Sequence, residues 1–119
     1  MPTGPAPYTD FAVHVAPTAD GGTDVAIFGE LDLATVDHAK RAIAEAILAE
    51  GDVVIDLRAC VFVDSQGIAA LVEAVLRLGE QGRRLTLRGV QPRVMKILDR
   101  AGLTRLDLLE VEPEGREAG

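Results

Sequence analysis

The sequence predicts a small single-domain α/β protein, a mixed, mostly parallel β-sheet covered by helices in the order β-β-α-β-α-β-α-β. Three observations carry that prediction. The 119 residues supply one hydrophobic core and are too few for two. Hydrophobic residues reach 48% while aromatics reach only 3%, so the core is aliphatic. After two opening strand-like segments, apolar spacing alternates between strand and helix, the pattern of strands joined by crossover helices.

Residues 1–9, rich in Pro and small side chains, are expected to form a flexible tail ahead of a domain over 10–112. "FAVHV" (11–15) and "TDVAIFG" (23–29) have strand length and composition, and Asp20-Gly21-Gly22 between them signals a hairpin. From Asp32 the period lengthens: Val36, Ala39, Ile43, Ala46 and Ile47 define one helical face. Asp32 or Thr35 can cap its start and Gly51 can close it. "DVVIDL" (52–57) reads as a strand buried on both faces, and "VFV" (61–63) either extends it or bulges beside it.

Ile68, Leu71, Val72, Val75, Leu76 and Gly79 then recur at helical spacing. "RRLTLRG" (83–89) is a strand. Pro92 opens a helix whose stripe is Val94, Ile97, Leu98 and Ala101, and Gly102 ends it. "LDLLEV" (106–111) is the last strand, and residues 113–119 are expected to form a second flexible tail.

Composition excludes several functions. The net charge is −7 and aromatics are few, which argues against nucleic-acid binding. Seven basic residues between Arg83 and Arg105 read as a solvated face. Cys60 is the only cysteine, so neither an internal disulfide nor a metal-ligand cluster is expected, which suits a reducing cytosol. No signal peptide is visible, and no apolar run approaches the ~20 residues that span a bilayer. A cytoplasmic protein without cofactor, metal or membrane insertion is the expectation.

The chemistry concentrates at Asp64-Ser65-Gln66-Gly67, where a strand turns into a helix. Either Asp64 or Ser65 can cap that helix. Asp64 suffices alone, which leaves Ser65, the only serine in the chain, and Gln66 without a structural task. The unpaired amides of a first helical turn favour a hydroxyl or phosphate there, and Gly67 is expected to let a partner approach the backbone. A serine hydrolase fits poorly: the elbow's first glycine is replaced by Val63, and His14 and His38 both precede the serine. Asp56 at a strand end could be a receiver-type phosphoacceptor, but "RRLTLRG" supplies no lysine for that chemistry.

Three segments carry a family resemblance over about residues 11–111. "GELDLAT" (29–35), "VFVDSQGIAALV" (61–72) and "VQPRVMKILDRAGL" (90–103) resemble, in order, motifs of the bacterial STAS-domain anti-sigma factor antagonists. The resemblance implies the STAS fold and a regulatory binding protein rather than an enzyme. It implies that the unphosphorylated form binds an ATP-binding anti-sigma factor serine kinase, freeing a sigma factor. That kinase would phosphorylate Ser65 and a metal-dependent serine phosphatase would reverse it. Glu30, Asp32, Asp64, Gln66, Gly67 and Ile68 are the implied partner contacts, Asp32 serving equally well as a helix cap. Gln66 departs from the family, which shows Ser or Thr there. The alternative within the family is a STAS subunit of another assembly, a stress-sensing complex or a lipid-transport ABC complex, with Ser65 structural.

Overall fold

Val25, Ile27 and Leu31 are fully buried and alternate with partly exposed neighbours, and around them the longest strand forms. The computed structural model describes residues 11–115, so the expected tail 1–9 and residues 116–119 lie outside the described residues. Strand β1 (Ala12–Pro17) turns at Asp20-Gly21-Gly22 into β2 (Thr23–Leu31), its antiparallel partner, as the hairpin signal predicted. There the Gly22 amide donates to Thr18 Oγ1 at 2.8 Å, and Gly21 adopts φ +94°.

Helix α1 (Val36–Leu48) follows, then β3 (Val53–Asp56), β4 (Cys60–Val63), α2 (Ser65–Glu80), β5 (Leu85–Val90), α3 (Pro92–Arg100), a 3₁₀ turn (Leu103–Arg105) and β6 (Leu109–Pro113). The sheet order is β1-β2-β3-β5-β6, with every pairing parallel except β1–β2. It is the mixed, mostly parallel sheet with three helices that the sequence predicts. β6 ends at Pro113, one residue past the expected domain boundary.

Four expectations are corrected. "VFV" is a strand of its own: after a turn at residues 57–59, β4 pairs with the end of β2, on the edge that β3 has left. β3 is not buried on both faces, because Val54 is only half-buried. In α2 the buried stripe is Gly67, Ala70, Leu71, Ala74, Val75 and Leu78, while Leu76 is 58% exposed. The stripe turns toward the small residues on the side of α2 that faces α1, where Ala70 and Ala74 line a cleft together with Ile43 and Ile47. The α1 stripe, by contrast, is buried at all five positions named from its spacing.

The fourth correction concerns the basic run. Arg84, Arg93, Lys96, Arg100 and Arg105 are exposed, as expected of solvated side chains, but the first member is structural. The Arg83 guanidinium donates to the carbonyls of Ile47 (2.7 Å), Ala49 (2.6 Å) and Gly51 (2.8 Å), the unpaired acceptors where α1 ends. A cation at a helix C-terminus also opposes the negative end of the dipole.

Arg88 lies on the half-open face of the sheet, 3.9 Å from Asp24 and 3.6 Å from Glu112. Burial raises the Asp24 carboxyl, and the neighbouring Asp56 charge raises it further. Its Oδ1 is buried without a hydrogen-bond partner. Burial also pushes Asp56 upward, but the hydrogen bonds from Arg58, one at 2.7 Å, outweigh it and hold Asp56 below its usual value.

Two expectations follow for stability. Arg83→Met should destabilise the fold by about 1.5–3 kcal/mol, the range for hydrogen bonds to a charged group; an unchanged urea midpoint would refute the capping role. Asp24→Asn should raise stability at pH 7, because the penalty of charging Asp24 is present in full there. As pH falls through its raised value the native state takes up the proton, the penalty disappears, and the advantage of the variant shrinks. Asp56 acts oppositely: its contribution is present above the usual 3.8 and is lost as pH falls through its lowered value. Urea melts of wild type and Asp24→Asn from pH 7 to pH 4 test this, and an advantage that grew toward acid would contradict it.

Candidate functional site

The corner begins with a defect in β2. Gly29 takes φ +98°, and the β2–β4 register shifts between Gly29 and Glu30. This bulge redirects the last residues of β2. The Gly29 amide donates to the Ala59 carbonyl at 2.9 Å, fixing the point where β4 joins. β2 and β4 then run side by side and end together, Leu31 opposite Val63.

The two chain exits are tied by one residue. Asp64 donates its amide to the Leu31 carbonyl at 3.0 Å and enters extended backbone geometry as the N-cap of α2. Its Oδ1 accepts from the amides of Gln66 (2.8 Å) and Gly67 (3.0 Å). Its Oδ2 accepts from the Leu33 amide at 3.0 Å. Asp64 therefore takes first-turn donors that would otherwise be open to an anion.

Ser65 is the first residue of α2, exposed, and its hydroxyl makes no hydrogen bond to the described residues. Gln66 beside it is exposed too. Gly67 is buried. A Cβ there would lie 2.7 Å from both the Leu31 carbonyl oxygen and Val63 Cγ1. The expectation that Gly67 opens the backbone to a partner is corrected accordingly: its missing side chain lets α2 sit against the ends of β2 and β4. Ile68 is half-buried and packs on the core.

Across the corner, the loop from Asp32 to Thr35 is held by its own side chains. Asp32 Oδ1 accepts from the Ala34 amide at 3.0 Å, and the Asp32 amide donates to Thr35 Oγ1 at 3.0 Å. The Thr35 hydroxyl donates to the Glu30 carbonyl at 2.7 Å. Neither Asp32 nor Thr35 gives α1 a side-chain cap, as either was expected to; α1 starts at Val36, with Thr35 at the N-cap position. The expected contacts Glu30, Asp32, Asp64 and Gln66 and the expected phosphoacceptor Ser65 thus stand at one corner, while Gly67 and Ile68 form its inner wall.

One residue escaped sequence reasoning. Leu33 is 72% exposed although its amide is bound by Asp64. The available signal was an apolar residue inside a loop whose neighbours are polar or small.

Among the described residues no histidine is placed against Ser65. His38 packs edge-on against Phe11 (5.5 Å between centroids) and His14 against Phe28 (4.9 Å), and neither is hydrogen-bonded to Ser65. Asp56, the alternative phosphoacceptor, is buried and committed to Arg58. Among the described residues no group of three or more His, Cys, Asp or Glu is gathered as a metal would require. Nor is any described helix long and apolar enough to cross a membrane.

The model of the STAS-domain family matches residues 14–118. The chain resembles an anti-sigma factor antagonist from Mycobacterium paratuberculosis at 25% identity and TM-score 0.76, over 88% of each chain. It resembles the phosphorylated form of the Bacillus cell fate determinant SpoIIAA at 22% identity and TM-score 0.66, over 84% of this chain and 90% of that one. A third likeness, at 20% identity and TM-score 0.67, is to the murine Solute Carrier 26 family member A9 anion transporter, over 79% of this chain and 16% of the transporter. No curated protein matches.

Gly67→Ala tests the inner wall. Its φ is not in the left-handed region, so the whole penalty should be steric, about 1–3 kcal/mol. Chemical denaturation of the variant measures it, and a neutral effect would show that α2 can lift from β2 freely.

Proposed function

The chain belongs to the STAS-domain family, and we propose that it is an anti-sigma factor antagonist switched by phosphorylation of Ser65. In the unphosphorylated form it binds an ATP-binding anti-sigma factor serine kinase in the cytoplasm and so frees a sigma factor. One observation carries the reading: Asp64 caps α2 alone, leaving the hydroxyl of the only serine exposed and unbonded beside it. A cap shared with Ser65 would instead favour a purely structural serine, as in a STAS subunit of another assembly.

In the transfer, Ser65 Oγ bonds to the γ-phosphorus of ATP bound by the kinase, the bond to the β–γ bridging oxygen breaks, and ADP leaves. The hydroxyl proton passes to a base on the kinase or to solvent, since none of the described residues is bonded to the Ser65 hydroxyl. A metal-dependent serine phosphatase reverses the change, with water returning the hydroxyl and releasing inorganic phosphate. The chain supplies a substrate surface in both steps and no catalytic group.

The phosphate adds about −1.5 to −2 charges. Because Asp64 already binds the Gln66 and Gly67 amides, the helix end offers the phosphate little neutralisation. It faces outward beside a carboxylate, where a docked partner must desolvate it. A coupling of ~3 kcal/mol changes affinity about 150-fold, without rearrangement beyond the corner.

Baits carrying wild-type chain, Ser65→Ala and Ser65→Asp, exposed to lysate of the source organism, test the switch. Wild type and Ser65→Ala should retain an ATP-binding kinase and Ser65→Asp should lose it. The purified kinase with Mg-ATP should add one phosphate to wild type and none to Ser65→Ala. Equal retention by all three baits, or capture of no kinase, would sink the reading.

A further inference from the structure

Large apolar side chains are exposed at several places, and Leu33 is set apart by its position, on a fully bonded loop whose amide is held by Asp64, the residue before Ser65. Leu48 is 83% exposed at the last turn of α1 and Leu76 is 58% exposed on the outer side of α2. Leu33 sits on a loop in which five consecutive amides are bonded. Asp32 donates to Thr35 Oγ1, Leu33 to Asp64 Oδ2, Ala34 to Asp32 Oδ1, and Thr35 and Val36 both to the Asp32 carbonyl. Such a loop has lost its conformational freedom before any partner arrives, which lowers the entropy cost of binding. An apolar group kept 72% exposed on a rigid frame has the character of an interface anchor.

The surroundings say what would cover it. Glu30 and Asp32 precede or flank Leu33 and Asp64 bonds its amide, with no Lys or Arg in 29–39 or 60–69; Asp37, Lys40 and Arg41 line the cleft between α1 and α2 instead. The complementary surface is an apolar socket rimmed by basic side chains. An ATP-bearing partner has its own need for such a rim, since the nucleotide phosphates must come up to Ser65 past these carboxylates.

We propose that Leu33 is the apolar anchor that seats the anti-sigma kinase on this corner. Asp64 is its positioning residue, holding the Leu33 amide with one carboxylate oxygen and the start of α2 with the other. The proposal rests on the antagonist reading and adds the residue that gives the contact its affinity. It also ties the anchor to the residue that precedes the phosphoacceptor, so that a partner seated on Leu33 lies beside the start of α2.

The test is titration of the purified kinase captured by the wild-type chain with full-length variants. Leu33→Ala should weaken binding by about tenfold or more, and Leu48→Ala should bind as wild type does. Asp64→Asn removes the anionic acceptor and leaves one side-chain oxygen where two serve the Leu33 amide and the α2 amides, so it should speed hydrogen exchange at Leu33 and weaken binding. In the Leu33→Ala background, Asp64→Asn should weaken binding markedly less than in wild type, a non-additivity that simple loss of stability would not produce. If Leu33→Ala binds like wild type while Ser65→Asp still releases the kinase, the anchor is wrong and the switch survives. If the wild-type chain binds no kinase, both readings fall.

Discussion

Asp64 belongs to neither a strand nor the body of a helix, yet its carboxylate binds three backbone amides in segments up to 31 residues apart. Two of them start α2 and the third fixes the loop leading to α1. Its own amide closes the other side of the junction by donating to Leu31. A neutral cap could satisfy the helix end, but two acceptor oxygens are needed to serve both segments at once. The spacing between the two lips of the site is therefore set by a single ionised side chain.

That carboxylate can reach both segments only because the packing beneath it brings them together. The Gly29 bulge turns the end of β2, β4 takes over the edge that β3 leaves, and Gly67 lets α2 settle on Leu31 and Val63. Leu31 and Val63 are almost fully buried, so the floor of the corner is core. Polar clasp and apolar floor support each other: the packing holds the amides within reach, and the clasp satisfies donors that the packing would otherwise strand.

What the sequence made legible was local. The α1 stripe, the Asp-Gly-Gly hairpin, Pro92 at the first position of α3 and the Asp64 cap are each written within a few consecutive residues, and each stands where its spacing put it. What it concealed was relational. Nothing in "VFV" says that β4 pairs with β2, because the register spans some thirty residues. Gly67 looked like an opening because a missing side chain reads alike whether it faces solvent or a neighbouring carbonyl. The α2 stripe was misread by rotation, since Ala70 and Ala74 weigh little on an apolar scale yet mark where α1 approaches. Arg83 was counted with a charged run although its partners are carbonyls at the end of α1.

The division of labour between Asp64 and Ser65 bears on why a modification here would be felt outside the chain. A serine at the cap position itself would have its oxygen aimed at the first-turn amides, and a phosphate on it could be drawn into the positive end of the helix. Much of the added charge would then be spent inside the domain. Placing the serine one residue later, behind a carboxylate that already holds those amides, denies the phosphate that refuge. Its charge would stay at the surface, beside the exposed Gln66, where an approaching protein would have to meet it. The cap thus does more than start a helix: by holding the Gln66 and Gly67 amides, it would direct the consequence of a phosphate on Ser65 toward a partner.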